Sequence, residues 1–284
     1  MNIFTDIQSL RQHILNWKQQ GESIAFVPTM GNLHAGHLQL IEHGKHIADR
    51  VVVSIFVNPM QFNEANDFKN YPRTFDDDRA KLEAIAVDCI FAPLEKDLYP
   101  VNQQLTTKVS VPVLGEILEG ESRPGHFTGV TTVVCKLFNI VQPDYACFGE
   151  KDFQQLMLIR HMVAELNMPV QIEAVATCRE ADGLAMSSRN NRLNQSQRAI
   201  APEIYQVLSS ICEQIKQGNK DFSQLEHEAV ATLNNSGFVA DYVAIRSVAD
   251  LGNPAADEVE LVVLAAACLG DIRLIDNMPL SLKA

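Results

Sequence analysis

The segment SIAFVPTMGNLHAGHLQL, residues 23–40, decides how the rest of the chain is read. Ser23–Val27 predicts a short apolar strand that ends at Pro28. Helical spacing begins at Leu38 and runs to Asp49. Between them lies a turn with Gly31 and the pattern His-x-Gly-His at His34–His37. A turn that leaves a strand and enters a helix sits at the strand's carboxyl end, where open α/β sheets bind ligands. The helix start adds unbonded backbone N–H groups and a positive dipole end, both suited to phosphate.

Working outward, VVVSIFV at Val51–Val57 is rich in β-branched residues and lacks polar alternation, as a strand buried on both faces would. Phe75–Ala86 reads as a helix and Asp88–Ala92 as a third strand. Thr128–Val141 is apolar over a wide face and reads as a buried helix. Tyr145–Phe148 is a strand, Asp152–Leu166 an amphipathic helix stopped by Asn167 and Pro169, and Val170–Ala176 a fifth strand. Alternating strands and helices predict a doubly wound, Rossmann-like parallel α/β sheet. After residue 176 the pattern changes. Ser196–Gln217 reads as one long helix capped by Ser196, and Phe222–Asn235 as another. Three strands follow at Val239–Arg246, Glu258–Leu269 and Ile272–Asp276, the last two joined by a tight turn at Leu269-Gly270-Asp271. The expectation is a domain over residues 1–176 and a smaller α+β domain over 177–284.

The bulk properties narrow the function. The 284 residues are 46% apolar and 20% charged, ordinary for a globular protein. Lys plus Arg number 23 against 35 Asp plus Glu, a net charge of −12 that disfavours nucleic acid as a main partner. No apolar run approaches the ~18 residues of a membrane span, and MNIFTDIQSL is no secretory signal. Six cysteines without C-x-x-C spacing read as reduced thiols and point to the cytoplasm.

Four constellations carry chemistry. The first is Met30–His37, where two imidazoles three residues apart can donate to phosphate oxygens; a metal pair lacking a third ligand and two structural histidines are the competing readings. The second is Met186-Ser187-Ser188-Arg189, either a compact anion-binding set or a solvated linker. The third is Gly149-Glu150-Lys151-Asp152 with Gln155 one turn on. Lys151 there can neutralise phosphate, and Asp152 can take ribose hydroxyls or simply cap the helix. The fourth is Asn58–Gln61 after the second strand, where Gln61 can donate and accept at once. The run Asp76–Asp78 reads as a solvated helix face, since three adjacent acids point in different directions. P-loop, dinucleotide and serine-hydrolase motifs are absent.

The His-x-Gly-His turn and the later Ser/Arg loop resemble the nucleotidyltransferase superfamily related to class I aminoacyl-tRNA synthetases. The ordered strings PTMGNLHAGH, FVNPMQF, YPRTFDDD, RPGHFTGV, FGEKDFQQL and READGLAMSSRN resemble, together, the pantoate–β-alanine ligase (pantothenate synthetase) family. The resemblance implies a C–N ligase that uses ATP with Mg²⁺ to join pantoate and β-alanine through pantoyl adenylate. It implies a homodimer formed through the N-terminal domain. It places the ATP phosphates on His34 and His37, with Met30, Gly31, Asn32, Leu33, Ala35 and Gly36 lining the nucleotide. Gly149 and Asp152 would bind the ribose, Lys151 the phosphates, with Glu150 also at the ATP site, and Cys178 and Met186 would meet the adenine through their backbones. Ser187, Ser188 and Arg189 would grip pyrophosphate. Gln61 and Gln155 would hold pantoate, Asn58 would support that pocket, and Val133, Val134 and Leu137 would enclose its methyl groups. No residue is assigned to the metal. A nucleotidyltransferase acting on another small substrate and a non-catalytic nucleotide-binding regulator are the alternatives.

Overall fold

A computed structural model describes residues 1–63, 65–100 and 106–283. The chain divides into two compact units, Met1–Glu150 with Gln155–Ala176, and Lys151–Gln154 with Thr177–Ala284. The short piece Lys151–Gln154 therefore groups with the second unit and not with the strand that precedes it.

The first unit contains β1 (Asn2–Phe4), α1 (Ile7–Gln19), β2 (Ile24–Thr29), α2 (Ala35–Ile47), β3 (Arg50–Ile55), α3 (Ala65–Asn70), α4 (Phe75–Ala84) and β4 (Cys89–Phe91). It continues with α5 (Glu95–Leu98), α6 (Glu119–Ser122), α7 (His126–Val141), β5 (Tyr145–Gly149), α8 (Phe153–Glu165) and β6 (Gln171–Val175). Its six strands are parallel in the order β1-β4-β3-β2-β5-β6. The chain leaves β2 in one direction toward β3 and β4 and later returns on its other side as β5 and β6. The switch point lies between β2 and β5, the place where such sheets open a crevice at their carboxyl ends.

The missing polar alternation now has a cause. Ile24 and Phe26 of β2 enter one core, while Ala25 and Val27 enter another on the opposite face. Val52 of β3 joins the first, and Val51 and Val53 the second. Leu10, Ile14 and Trp17 of α1, with Val130, Val134, Phe138 and Val141 of α7, cover one face; Ile41 of α2 and Leu82 of α4 cover the other. Burial thus overrides the weak helix propensity of the valines and threonines in α7. On the opposite face α2 lies close enough that a Cβ on Gly44 would stand 3.2 Å from the Cβ of Ala25.

The second unit carries α9 (Gln195–Ile200), α10 (Glu203–Lys216), α11 (Phe222–Asn235), β7 (Val239–Ser247), β8 (Glu260–Leu269) and β9 (Ile272–Ser281). The strands form an antiparallel sheet β7-β8-β9. Ile204, Leu208, Ile211 and Ile215 of α10 and Leu225, Ala229 and Leu233 of α11 pack with Val263, Ala265 and Ala267 of β8 in one core. Gly270 begins the two-residue turn between β8 and β9 at φ +57°, the left-handed conformation that glycine adopts without strain.

Several expected boundaries move. The helix α2 begins at Ala35, so the His-x-Gly-His residues form its cap and first turn. The single helix expected over 196–217 is two, because Pro202 has no N–H to continue the first; Asn194, not Ser196, caps α9 through the Gln197 N–H at 2.9 Å. The helix expected from Asp152 starts at Phe153, and Asp152 lies in a 3-10 turn over Glu150–Asp152. The strand expected to stop at Asp276 runs on to Ser281; Pro279 is tolerated there because β9 is an edge strand. The expected fold also left β1 and α1 out. Among the described residues no helix is long and apolar enough to cross a membrane.

Phe26 is fully buried on β2. Phe26→Ala should cost about 3–5 kcal/mol of stability, read as a lower urea midpoint for the first unit, because the cavity under α7 cannot collapse fully.

Candidate active site

Two side-chain systems in the first unit sit beside strand ends, and a third lies in the second unit. The first is the turn that leaves β2. Gly31 has φ +80° and Asn32 φ +53°, so the chain reverses sharply before the histidines. The turn is held from below by Asp78 of α4. Its carboxylate accepts from the Asn32 N–H at 2.8 Å and the Leu33 N–H at 2.7 Å, and from the Thr74 hydroxyl at 3.0 Å. Lys81 closes the clamp by donating to the Leu33 carbonyl at 2.7 Å. Asp76 and Asp77 are exposed, as a solvated face requires, but Asp78 is fully buried. The acidic run therefore contains a structural anchor that the sequence reading missed. Its signal was the i, i+4 pairing of Thr74 with Asp78 on a helix whose apolar Leu82 shares that face.

Both histidines cap α2. The Gly36 N–H donates to His34 Nδ1 at 3.2 Å, and the His34 N–H donates to His37 Nδ1 at 3.3 Å. An accepting Nδ1 carries no proton, so the neutral tautomer places the proton on Nε2 of each ring. The ring centroids are 4.1 Å apart. The capping arrangement thus turns two imidazoles into paired Nε2–H donors at a helix N-terminus.

The second system surrounds Gln61, in a 3-10 turn over Pro59–Gln61. Asn58 is 1% exposed and its amide is saturated. Its Nδ2 donates to Gln61 Oε1 at 3.0 Å and to the Gly129 carbonyl at 3.1 Å; its Oδ1 accepts from the Met60 N–H at 3.3 Å and the Tyr99 hydroxyl at 2.8 Å. Asn58 is a support and not a group offered to substrate. The Asn58 contact orients the Gln61 amide: Oε1 points to Asn58 and keeps one further lone pair, and Nε2 is turned to the other side with both its N–H groups. The Gln61 carbonyl accepts from His126 Nδ1 at 2.8 Å and from Arg123 at 3.4 Å. Arg123 and His126 belong to the RPGHFTGV string, which the sequence reading left without a role. At Gly129 the helix α7 meets this turn backbone to backbone; a Cβ there would collide with the Met60 carbonyl and the Gln61 nitrogen. Val133, Val134 and Leu137 follow on α7, each at most 6% exposed within the core.

Gly149 ends β5, and a Cβ there would touch only Leu40, at 3.9 Å. Gln155 is half-buried in the first turn of α8.

In the second unit Lys151 Nζ lies 3.8 Å from the exposed Asp152 carboxylate. Residues 178–186 form a small hairpin: the Met186 N–H donates to the Cys178 carbonyl at 2.9 Å, Arg179 bridges Ala185, and the Glu180 N–H reaches the Leu184 carbonyl at 2.8 Å. Cys178 and Met186 touch through their sulfurs at 3.4 Å. The hairpin delivers the chain to Ser187, whose Oγ accepts from the Arg189 N–H at 3.3 Å. Ser187, Ser188 and Arg189 are all partly exposed, and the Arg189 guanidinium has no hydrogen bond or ion pair among the described residues. Below the hairpin Arg179 forms a two-toothed pair with Asp276 at 2.7 and 2.9 Å. Burial pushes the Asp276 carboxyl up from the usual range, and the guanidinium pulls against that shift. None of the six cysteines forms a disulfide; burial raises Cys89 and Cys147 to about 12 and Cys212 to about 11, which makes those three unreactive.

Removing the buried clamp exposes its weight. Asp78→Ala leaves two backbone N–H groups without an acceptor and should cost about 1–3 kcal/mol for each. Asp78→Asn keeps one accepting oxygen and should lose less, both measured by urea unfolding.

The pantoate-beta-alanine ligase family model matches residues 2–279. A pantothenate synthetase of Nitrosococcus oceani is 52% identical over 284 residues, covering 100% of this chain and 99% of the relative. That of Aliivibrio fischeri is also 52% identical, covering 100% and 98%. The crystal structure of pantothenate synthetase from Thermus thermophilus matches with a TM-score of 0.90 at 40% identity, over 98% of this chain and 99% of that one. A Francisella tularensis pantoate-beta-alanine ligase, crystallised with a β,γ ATP form and β-alanine, matches with a TM-score of 0.83 at 38% identity, over 98% and 97%. These matches bear out the resemblance and the doubly wound fold, and they do not favour the nucleotidyltransferase or regulator alternatives. The chain belongs to the pantoate-beta-alanine ligase family, as a C–N ligase of pantothenate biosynthesis.

Proposed function

We propose that the chain joins pantoate to β-alanine in two steps driven by ATP. In the first, a pantoate carboxylate oxygen attacks the α-phosphorus, the bond to the β-phosphate oxygen breaks, and pyrophosphate leaves. In the second, the β-alanine amine attacks the acyl carbon of pantoyl adenylate and AMP leaves. Neither step needs an enzyme nucleophile, so positioning and charge neutralisation supply the rate.

The observation that carries this reading is the reciprocal capping of His34 and His37. It fixes both rings as Nε2–H donors beside the first turn of α2, where the α-phosphate oxygens gain charge as they are attacked. Met30, Gly31, Asn32, Leu33, Ala35 and Gly36 line the nucleotide along the same turn. Gly149, Glu150 and Asp152 take the ribose side; packing does not demand a glycine at 149, and close approach of a ligand would. Lys151 neutralises the phosphates, and Ser187, Ser188 and Arg189 receive the departing pyrophosphate. The backbones of Cys178 and Met186 meet the adenine. A Gln61 amide oriented by Asn58 suits a carboxylate through its Nε2–H groups, with Gln155 as its companion and Val133, Val134 and Leu137 as the wall for the pantoate methyl groups.

Mg²⁺ carried with ATP would supply charge screening at the phosphates. Among the described residues no three histidine, cysteine or acidic side chains gather into a metal site, and no step above depends on one. A homodimer and a cytoplasmic location complete the proposal; size-exclusion chromatography with light scattering checks the first.

The direct test is AMP release with pantoate and β-alanine omitted in turn. Pantoate alone should give one enzyme equivalent of pyrophosphate and bound adenylate, and AMP should require both substrates. AMP release independent of either one overturns the scheme. His37→Ala should slow single-turnover adenylate formation by about 10²–10³ and leave pantoate binding nearly unchanged. Gln61→Ala should raise the KM values for pantoate and β-alanine by about 10- to 100-fold, since a hydrogen bond to a charged group is worth about 1.5–3 kcal/mol. Its KM for ATP should stay level.

A further inference from the structure

The motifs that point to the active site end at Asn190, yet β9 carries a buried polar pair at its centre. Asp276 and Asn277 are each 2% exposed. Asp276 binds the Arg179 guanidinium through both oxygens and also accepts from the Asn277 N–H at 2.8 Å. Arg179 donates further to the Gly183 carbonyl at 3.0 Å and the Asn277 carbonyl at 3.1 Å, and its guanidinium lies 4.5 Å from the centre of the Tyr205 ring. Gly183 has φ +90°, and any side chain there would strike that ring. The hairpin at 178–186 is thereby pinned to β9 and α10. The other arm of the pair reaches elsewhere: Asn277 Nδ2 donates to the Lys151 carbonyl at 2.8 Å, across 126 residues of sequence.

A two-residue step of one strand therefore holds both segments of the second unit that end in cations, Lys151 and Arg189. The Arg179 bonds are charge-assisted and the Asp276 and Asn277 side chains are buried, so a displaced partner leaves a buried charge or amide unmet. The Lys151 carbonyl sits in the short 3-10 turn over Glu150–Asp152, a conformation whose own hydrogen-bond geometry is poorer than that of an α-helix. We propose that Asn277, itself anchored by the Asp276–Arg179 pair, is a positioning residue for Lys151 that sets the reach of its ammonium toward the ATP phosphates. This rests on the assignment of Lys151 to the phosphates given above.

The test uses the full chain and three variants: Lys151→Ala, Asn277→Asp and Asn277→Ser. Asn277→Asp keeps the side chain's size and turns an oxygen toward the Lys151 carbonyl. Asn277→Ser removes the reach without adding charge, and it serves if the aspartate fails to fold. Each is measured for single-turnover adenylate formation, for the KM of ATP, pantoate and β-alanine, and for its thermal midpoint. Both Asn277 variants should slow adenylate formation by about tenfold or more and raise the KM for ATP, while the KM for β-alanine stays level; a small misplacement of a reacting group is enough for such a loss. A Lys151→Ala enzyme that forms adenylate at the wild-type rate overturns the phosphate assignment. Slow Lys151→Ala beside Asn277 variants of normal rate overturns the positioning role alone. Equal losses for all three substrates with a matching fall in the thermal midpoint also overturn it, because that is what general destabilisation gives.

Discussion

A single buried carboxylate sets the terms of the first unit's chemistry. The turn after β2 reverses through two left-handed residues, and the N–H groups of Asn32 and Leu33 point at a fully buried side chain. That side chain is Asp78, and without it both N–H groups would lose their acceptor. The histidines inherit that shape. Their caps on α2 begin one residue beyond Leu33, so the direction of both Nε2–H groups depends on a contact made by a different helix. Placing side-chain donors on a helix end, held by a second element, is the arrangement that gives them a fixed direction before any ligand arrives.

The second unit solves the same problem with a different pair. There the buried charge is compensated chiefly by a guanidinium, with one backbone N–H, that of Asn277, beside it. Arg179 satisfies Asp276, stacks over Tyr205 and ties down the hairpin that leads to Ser187. In each unit a buried acid fixes a loop that carries proposed site residues. The remaining polar groups near the site, Asn58, Arg123 and His126, act in the same way on Gln61.

The fold was readable in the sequence wherever burial on both faces erased polar alternation. Val51–Val57 announced β3, and the wide apolar face of residues 128–141 announced α7. What escaped was short or polar. The strand β1 has three residues and lies at the sheet edge, too brief for any periodicity. The helix α1 did leave a trace: Asp6 caps it through the Ser9 N–H, and Leu10, Ile14 and Trp17 recur at helical spacing. The break at Pro202 was hidden because apolar spacing continues across it. At the site, motif residues were legible by type, yet their hydrogen-bond state was not. Sequence offered Gln61 as donor and acceptor, and only the Asn58 contact shows which way its amide is turned. The partners that give Asp78 and Asn277 their weight, the turn N–H groups of Asn32 and Leu33 and the carbonyl of Lys151, lie 45 to 126 residues away, beyond any local pattern.

The contact at Gly129 has a consequence for what the site can accept. With no side chain between α7 and the carbonyl of Met60, the helix and the glutamine turn meet backbone to backbone, and any larger residue at 129 would force them apart. Under the proposed assignment, an acid held by the Gln61 amide is gauged against valines on that same helix. Admitting a bulkier acid would then call for trimming the valines themselves.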